Sequence, residues 1–391
     1  MTVSSHPFRD KAAIAGIGIT ELSKNSGVST LTLALRAIMA AIEDAGLRRE
    51  DIDGVACHQV QDSITASIVA QCLGVDDLSW FCDQFGGGST SHSVVGQAAN
   101  ASALGHARHI VVWRSINARS EHRMGGTGRP PPAIVETQFQ HPIGWVTPPQ
   151  WYAMFARSHM NRWGTTSEDL GRIAVQQRAN ATHNERAMMR APMTMDDYLA
   201  SRWIVEPFRL FDCCLETDAA AAVVVTSAER ARDLRQPPVL ISGMTWGGGH
   251  MMHSNRVQAD WTTSVAAKMA RRLYGMAGVG PDDVQYASLY DAFTHLVLVQ
   301  VEDYGFAPKG EAAAFIAEGG TAPGGRIPVN THGGFLSEGY VHGLNNLHEA
   351  VRQVRGTAGR FQVPGAEVAL STGQPGYVAG NSSALILRRD S

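Results

Sequence analysis

The chain has 391 residues, 44% of them apolar and 18% charged, and a formal net charge of −3. That length holds two ordinary domains or one large α/β body with a full core, and the composition is globular. The near-balanced charge gives no electrostatic reason to expect nucleic acid or an anionic membrane as the main partner, and no apolar run is long enough to span a membrane.

The start, Met1 to Pro7, lacks the basic-then-apolar pattern of a signal peptide. Ala12–Thr20 reads as a buried strand; its Gly16-x-Gly18 is followed by Glu21 where a dinucleotide loop needs a third glycine, so no nucleotide cofactor is expected. Thr30–Ala45 places Leu31, Leu33, Leu35, Ile38, Met39 and Ile42 on or near one helical face, with Ser29 as N-cap and Gly46 as its stop. Asp53–His58 is a short strand, Ile64–Leu73 a helix ended by Gly74, and Leu78–Phe85 a strand leading into Gly86-Gly87-Gly88-Ser89-Thr90. Ser91–Leu104 is a small-residue helix suited to burial between sheets, and His109–Arg114 a central strand. Strands alternating with helices at this spacing predict a parallel-dominated α/β sheet.

From Ser115 to Gln150 the periodicity fails, in a segment carrying Arg119, His122, Arg123, Arg129 and three successive prolines at 130–132. Its aromatic and apolar content (Phe139, Ile143, Trp145, Trp151, Tyr152, Phe155) predicts an ordered cap over a pocket, an insertion over about residues 115–190. Helices are expected at Gln150–Arg162 and Ser167–Met188, and Asp218–Ser227 is an apolar strand in the middle of the sheet.

A strand at Val239–Met244 opens a second half that repeats the first. Ala45-Gly-Leu-x-x-x-Asp51-Ile returns as Ala277-Gly-Val-x-x-x-Asp283-Val, 232 residues further on, each copy with a preceding amphipathic helix and a following strand. This reads as an internal duplication with halves at 1–236 and 237–391, packed sheet to sheet, with a cleft where their loops meet.

Leu289-Tyr290-Asp291-Ala292-Phe293 ends the second copy's strand. Asn330–Asn346 then packs four glycines, two histidines, a tyrosine and a glutamate between an apparent strand (Arg326–Val329) and an apparent helix (His342–Gly356). Glycines let backbone approach a ligand closely, and reactive side chains among them point to a site. Two closing strands, Glu367–Ser371 and Ser383–Leu387, flank a further loop, Thr372–Gly380. The five cysteines, with a vicinal pair Cys213-Cys214, suit reduced thiols in the cytoplasm, and no C-x-x-C or histidine spacing suggests a metal. Cys213-Cys214 and His250-Met-Met-His253 are read as packing residues.

These landmarks, in order along almost the whole chain, resemble the thiolase superfamily, and most of all its sterol-carrier and lipid-transfer thiolase-like branch. The resemblance implies a five-layered αβαβα fold. It also implies three catalytic positions at which this sequence departs: no cysteine in Gln84–Thr90, Tyr340 in the histidine slot, and Thr372-Gly373-Gln374 where a second cysteine would sit. Without a thiolate nucleophile there is no covalent acyl-enzyme. Tyr290-Asp-Ala-Phe, Glu302-Asp-Tyr-Gly-Phe306 and Asn330 to Tyr340 are instead similar to the thiolase-like aldolases of bacterial steroid side-chain breakdown. That likeness implies retro-aldol cleavage of the Cα–Cβ bond of a steroid β-hydroxyacyl-CoA to a ring ketone and a short acyl-CoA (propionyl-CoA or acetyl-CoA). It implies a homodimer, with edge strands near Ile110, joined by a small OB-fold subunit in a heterotetramer. No bound cofactor is implied, CoA being part of the substrate thioester.

The family's two catalytic tyrosines carry over onto Tyr290 and Tyr340 as an acid/base pair, with the choice of acid and base open. A phenol of ordinary pKa about 10 is only about 0.1% ionised at pH 7, so the base needs help, from His332, His342, the Gly333–Gly334 amides or the following helix. Amides of Gly86–Ser89, with Gly87, Gly88 and Ser89 lining the site, would hold an enolate. His332 is equally well read as a structural hydrogen bonder; Asp291 is expected to point away from Tyr290. The rival readings are a non-catalytic acyl-CoA-binding scaffold and a cysteine-independent decarboxylase or condensing enzyme.

Overall fold

β1 (Ala12–Ile19) and α1 (Thr30–Ala45) open the chain. Helix α1 begins and ends where its local signals put it: Ser29 accepts the Thr32 N–H, and Gly46 closes the helix at φ 75°. Gly16-x-Gly18 is a helix-packing device, for a Cβ on Gly16 would lie 2.1 Å from the Ala41 carbonyl oxygen of α1. The computed structural model describes residues 6–121, 123, 135–248, 260–376 and 380–390; His122, Arg129, the prolines 130–132 and His250–His253 lie outside them.

The chain continues through β2 (Gly54–Gln59), α2 (Ala66–Leu73), β3 (Trp80–Phe85), α3 (Ser91–Ala103) and β4 (His109–Asn117). The insertion holds α4 (Val135–Gln140), α5 (Pro148–Trp163), α6 (Ser167–Ala181), α7 (Met195–Ala200) and a small ribbon of β5 (Trp203–Val205) and β6 (Phe208–Arg209). After it come β7 (Asp218–Ser227), α8 (Ala228–Ala231), β8 (Val239–Gly248), α9 (Ala266–Ala277), β9 (Tyr286–Ser288), α10 (Thr294–Asp303) and α11 (Ala312–Ala317). α12 (Gly334–Ser337), α13 (Leu344–Arg355), β10 (Val368–Thr372) and β11 (Asn381–Arg389) complete it. Both copies of the repeated motif fold alike: a helix stopped by a left-handed glycine (Gly46, Gly278), a 3-10 turn (Arg49–Asp51, Pro281–Asp283), then a strand.

Among the described residues, the strands other than β5 and β6 form one nine-stranded sheet in the order β3-β2-β4-β7-β1-β8-β11-β10-β9. The expectation of a parallel-dominated sheet is corrected: β2–β3, β2–β4 and β9–β10 are parallel, and the other five neighbouring pairs are antiparallel. Asn117 pairs with Asp218, so the insertion leaves and re-enters the sheet at the same end and β7 must run against β4. Ile110 is not at an edge, since β4 pairs on both sides; the edges are β3 and β9.

Among the described residues the two halves of this sheet pair at Ala13–Leu240 and Ile14–Val239, and they do not pack directly face to face. Helices α3 and α13 touch strands of both, while α1 covers the outer face of the first and α9 that of the second, which makes five layers. Period-2 alternation sorts the strand residues accordingly. Val223 and Val225 of β7 face the middle core with Val94 of α3 and Leu347 of α13; Val224 faces the outer core with α1. Ala384 and Ile386 of β11 face the third core, which holds Tyr290 and Tyr340.

Three smaller expectations change. Arg326–Val329 is not a strand but a single bridge from Val329 to Ala287, because Asn330 turns the chain at φ 47°. The helix expected to start at His342 starts at Leu344, after two residues at positive φ. The helix expected to reach Met188 ends at Ala181, and Asn184 beyond it bonds to the His332 carbonyl and to Glu338. Among the described residues no helix is long and apolar enough to cross a membrane.

Candidate active site

The carboxyl ends of β3, β4, β9 and β10 open onto a cavity of about 640 Å³ roofed by the insertion. Tyr290 stands two residues beyond β9 and is held from three sides. Asn330 clamps the neighbouring peptide, accepting from Leu289 N and donating to Leu289 O, both at 2.9 Å. Thr372 Oγ1 accepts the Tyr290 N–H, and Gln300 donates to the Tyr290 carbonyl at 2.8 Å. Tyr340, at the far end of the glycine-rich stretch, donates its N–H to Thr217 at 3.0 Å. The two hydroxyls meet at 2.5 Å in a buried contact walled by the Phe335 ring, 5.0 Å from one tyrosine and 4.9 Å from the other.

Desolvation pushes both phenols well above the ordinary tyrosine range, and the neighbouring Tyr340 raises Tyr290 further. Tyr340 is the better supported of the two as an anion, since the Tyr290 hydroxyl and the Arg114 charge both favour its ionised form. The turn at Gly86–Gly88 is shaped around this pair: a Cβ on Gly88 would lie 2.0 Å from the Tyr290 hydroxyl oxygen. Gly88–Thr90 also opens the short 3-10 turn leading into α3, where backbone N–H groups lack intrahelical partners.

Of the residues named from the sequence, Gly87, Gly88, Ser89, Tyr290, Tyr340 and His342 all line this cavity. His332, Gly333 and Gly334 do not. His332 Nε2 faces Asn346 Oδ1 at 3.0 Å and Glu338 at 3.5 Å; Asn346 in turn donates to Leu289 O and to Asp291, so His332 acts on the strand end behind Tyr290. Gly333 and Gly334, at φ 107° and 57°, make room for close neighbours: a Cβ on Gly333 would fall 2.6 Å from the Ala181 Cβ of α6, and one on Gly334 2.1 Å from the Asp291 carboxylate. Asp291 points away from Tyr290 and accepts the Phe335 and Leu336 N–H groups, and burial lifts its pKa to about 6. Glu338 is fully buried among Asn184, Asn345 and Arg186.

Sequence reasoning left several lining residues without a role. Tyr152 of α5 accepts a 2.6 Å bond from Gln374, which stands in the last loop where a second cysteine was sought. Cys213 and Cys214 pack into the cavity wall, where burial pushes both thiols up. Lys24, Arg119, Arg123 and Arg202 bring positive charge to the lining and are exposed, Arg123 paired with Glu216 at 2.6 Å. The apolar wall includes Trp151, Ile204, Phe211, Leu215 and Phe293.

Burial here sets an acid response. His58 and His92 are held down to about 3, and His295, His342 and His348 well below their ordinary value, chiefly by desolvation. The unfolded chain takes up protons near pH 6.5 that these folded sites refuse. Stability present above that pH is therefore lost below it, by about 1.4 kcal/mol per pH unit for each such histidine. Asp212 and Asp291, lifted to about 6, and Asp303, also raised by burial, work the other way, binding protons in the fold first. Five histidines outweigh three carboxylates, so the urea midpoint at pH 5.5 is expected well below that at pH 7.5; an equal or higher midpoint contradicts this.

Residues 247–389 match the thiolase C-terminal domain-like family. The chain is 46% identical over 356 residues to a steroid side-chain-cleaving aldolase of Thermomonospora curvata, covering 89% of this chain and 91% of that one. It is 43% identical over 358 residues to the 17-hydroxy-3-oxo-4-pregnene-20-carboxyl-CoA lyase of Mycobacterium tuberculosis, covering 89% and 92%. A solved structure of an "Ltp2-ChsH2(DUF35) aldolase" superposes with a TM-score of 0.92 at 43% identity, over 98% of this chain and 99% of that one. An acetyl-CoA acetyltransferase of Syntrophomonas wolfei, at 16% identity and a TM-score of 0.71, shares the fold. With a thiolase fold and this degree of identity over most of its length, the chain belongs to the family of steroid side-chain-cleaving aldolases.

Proposed function

We propose that the protein is a carbon–carbon lyase that cleaves the Cα–Cβ bond of a steroid side-chain β-hydroxyacyl-CoA, releasing a ring ketone and propionyl-CoA or acetyl-CoA. The observation that carries this is the 2.5 Å contact between Tyr290 and Tyr340 at the floor of a largely apolar cavity. A retro-aldol step removes the β-hydroxyl proton, breaks Cα–Cβ with its electron pair passing into the thioester as an enolate, and returns a proton to Cα. Burial keeps both phenols neutral, so neither serves as a standing phenolate. A hydrogen-bonded pair avoids the difficulty: one tyrosine takes the hydroxyl proton while passing its own across the shared contact to the other, which delivers its proton to Cα, so that both begin and end as neutral phenols. The N–H groups of the Gly87–Ser89 turn are suited to the enolate oxygen.

The apolar wall suits a steroid ring system, and the exposed cations suit the phosphates of CoA. Arg119→Ala and Arg202→Ala are each expected to raise KM up to about tenfold, the equivalent of about 1.4 kcal/mol, with kcat held and a weaker dependence of KM on salt. An unchanged KM removes that arginine from CoA binding.

The same reading includes a homodimer and a small OB-fold subunit. Edge strand β3 presents Phe81 and Phe85, 60% and 65% exposed, on a backbone paired on one side only, which supports strand pairing with a second copy. The solved relative's name joins its aldolase to a DUF35 protein, which supports the small subunit. All five cysteines are free, in keeping with a cytoplasmic setting. The decisive experiment incubates the protein, alone and with a co-expressed DUF35 partner, with a steroid β-hydroxyacyl-CoA. Release of ketone and short acyl-CoA in either arm is expected; binding without release in both would favour a scaffold.

A further inference from the structure

Arg114 is a fully buried arginine in the interior of β4. Strand parity puts it, like Ile110 and Val112, on the face toward α3 and α13, where His342 precedes α13. All of its donors are engaged. Nη2 reaches Asp62 at 2.6 Å, Nη1 reaches the carbonyls of His58 and Ser115 at 3.4 and 3.3 Å, and Nε and Nη2 converge on His342 Nδ1 at 3.1 and 3.0 Å.

A guanidinium has donors only and does not lose its proton in a protein. The ring atom on which two of its N–H groups converge must therefore be an unprotonated nitrogen, and the one proton of the neutral imidazole must sit on Nε2. With Nδ1 blocked, the ring cannot take a second proton either. His342 lines the cavity with Tyr290, Tyr340 and Gly88, its ring 4.9 Å from that of Tyr340, and Nε2 has no acceptor among the described residues. The residue holds φ 51°, a left-handed conformation uncommon for a side chain with a Cβ, which sets the ring against Arg114.

We propose that His342 Nε2–H is a hydrogen-bond donor to the thioester oxygen as the enolate forms, and that Arg114 is the positioning residue that enforces this tautomer. The inference rests on the aldolase reading. A neutral imidazole donor stabilises the oxygen without protonating it outright, and its proton stays on nitrogen throughout, leaving the transfer from hydroxyl to Cα to the tyrosines. Asp62 neutralises the guanidinium that does the positioning.

Two measurements test it. Long-range proton–nitrogen NMR of the 15N-labelled protein, with His342 assigned by its absence in His342→Gln, should show unprotonated Nδ1 and protonated Nε2 across pH 5.5–8; a protonated Nδ1 overturns the role of Arg114. In steady-state cleavage, His342→Leu should lower kcat about a hundredfold with KM within about threefold, and His342→Gln, which keeps an N–H donor, should recover much of the loss. A His342→Leu enzyme with wild-type kcat overturns the donor role while the aldolase reading stands. No ketone release by the wild type overturns the aldolase reading and the donor role with it, and the NMR result still decides the tautomer.

Discussion

Tyr340→Phe and Tyr290→Phe are each expected to fold and to lose about 10²–10⁴ in the rate of C–C cleavage, the range that a positioned acid or base supplies. Each substitution leaves the other hydroxyl buried without its 2.5 Å partner, so a loss of about 1–3 kcal/mol in stability should accompany the kinetic effect without abolishing the fold. Because the pair works through one shared contact, the double variant should be no slower than the worse single one. Gly88→Ala supplies a separate check: with a Cβ 2.0 Å from the Tyr290 oxygen, it must move that hydroxyl while removing no functional group. Wild-type turnover in either Phe variant would remove that tyrosine from the mechanism. Turnover in Gly88→Ala would show that the hydroxyl contact can be lost without consequence.

The second large effect lies away from the reacting atoms. Lys309 Nζ reaches Glu302 at 2.9 Å and Asp303 at 2.7 Å, two carboxylates whose side chains are 0% exposed. Glu302 also accepts from the Gly310 and Ala312 N–H groups and pairs with His159 of α5 at 3.2 Å; Asp303 accepts from Thr263 and Ser264. Three chain segments, residues 263–264, residues 309–312 and the α5 helix that carries Tyr152 into the cavity, are thus tied to the end of α10. Lys309→Met would leave both carboxylates without their cation. A loss of about 3 kcal/mol is expected, the low end for an unpaired buried ion because the lysine side chain is 30% exposed. Denaturant unfolding at pH 7.5 measures it, and a change under about 1 kcal/mol would show the cluster to be dispensable. Lowering the pH toward 5 should return part of the loss, since burial already raises the Asp303 pKa and a neutral carboxyl needs no counter-charge.

Local order was readable where it depends on residues close in the chain. The bounds of α1, its Ser29 cap and its Gly46 stop follow from i, i+3 and i, i+4 neighbours, and the repeat at Ala45 and Ala277 reappears as the same helix, turn and strand. Strand direction was not readable, because it depends on which end of the sheet a hundred-residue insertion returns to.

The glycine-rich stretch divides in the same way. The resemblance carried by the residue order puts Tyr340 where a thiolase has its histidine and names Tyr290 as its partner, an expectation available from the sequence alone. That His332 serves the backbone behind Tyr290 while His342 faces the cavity was decided only by the tertiary structure. The two histidines are ten residues apart with similar glycine neighbours, and nothing local separates them. What separates them is the partner each meets: Asn346 and Glu338 for one, and for the other an arginine 228 residues away on β4. Pairing of buried polar groups is satisfied by long-range convergence, to which helix and strand periodicity carry no reference.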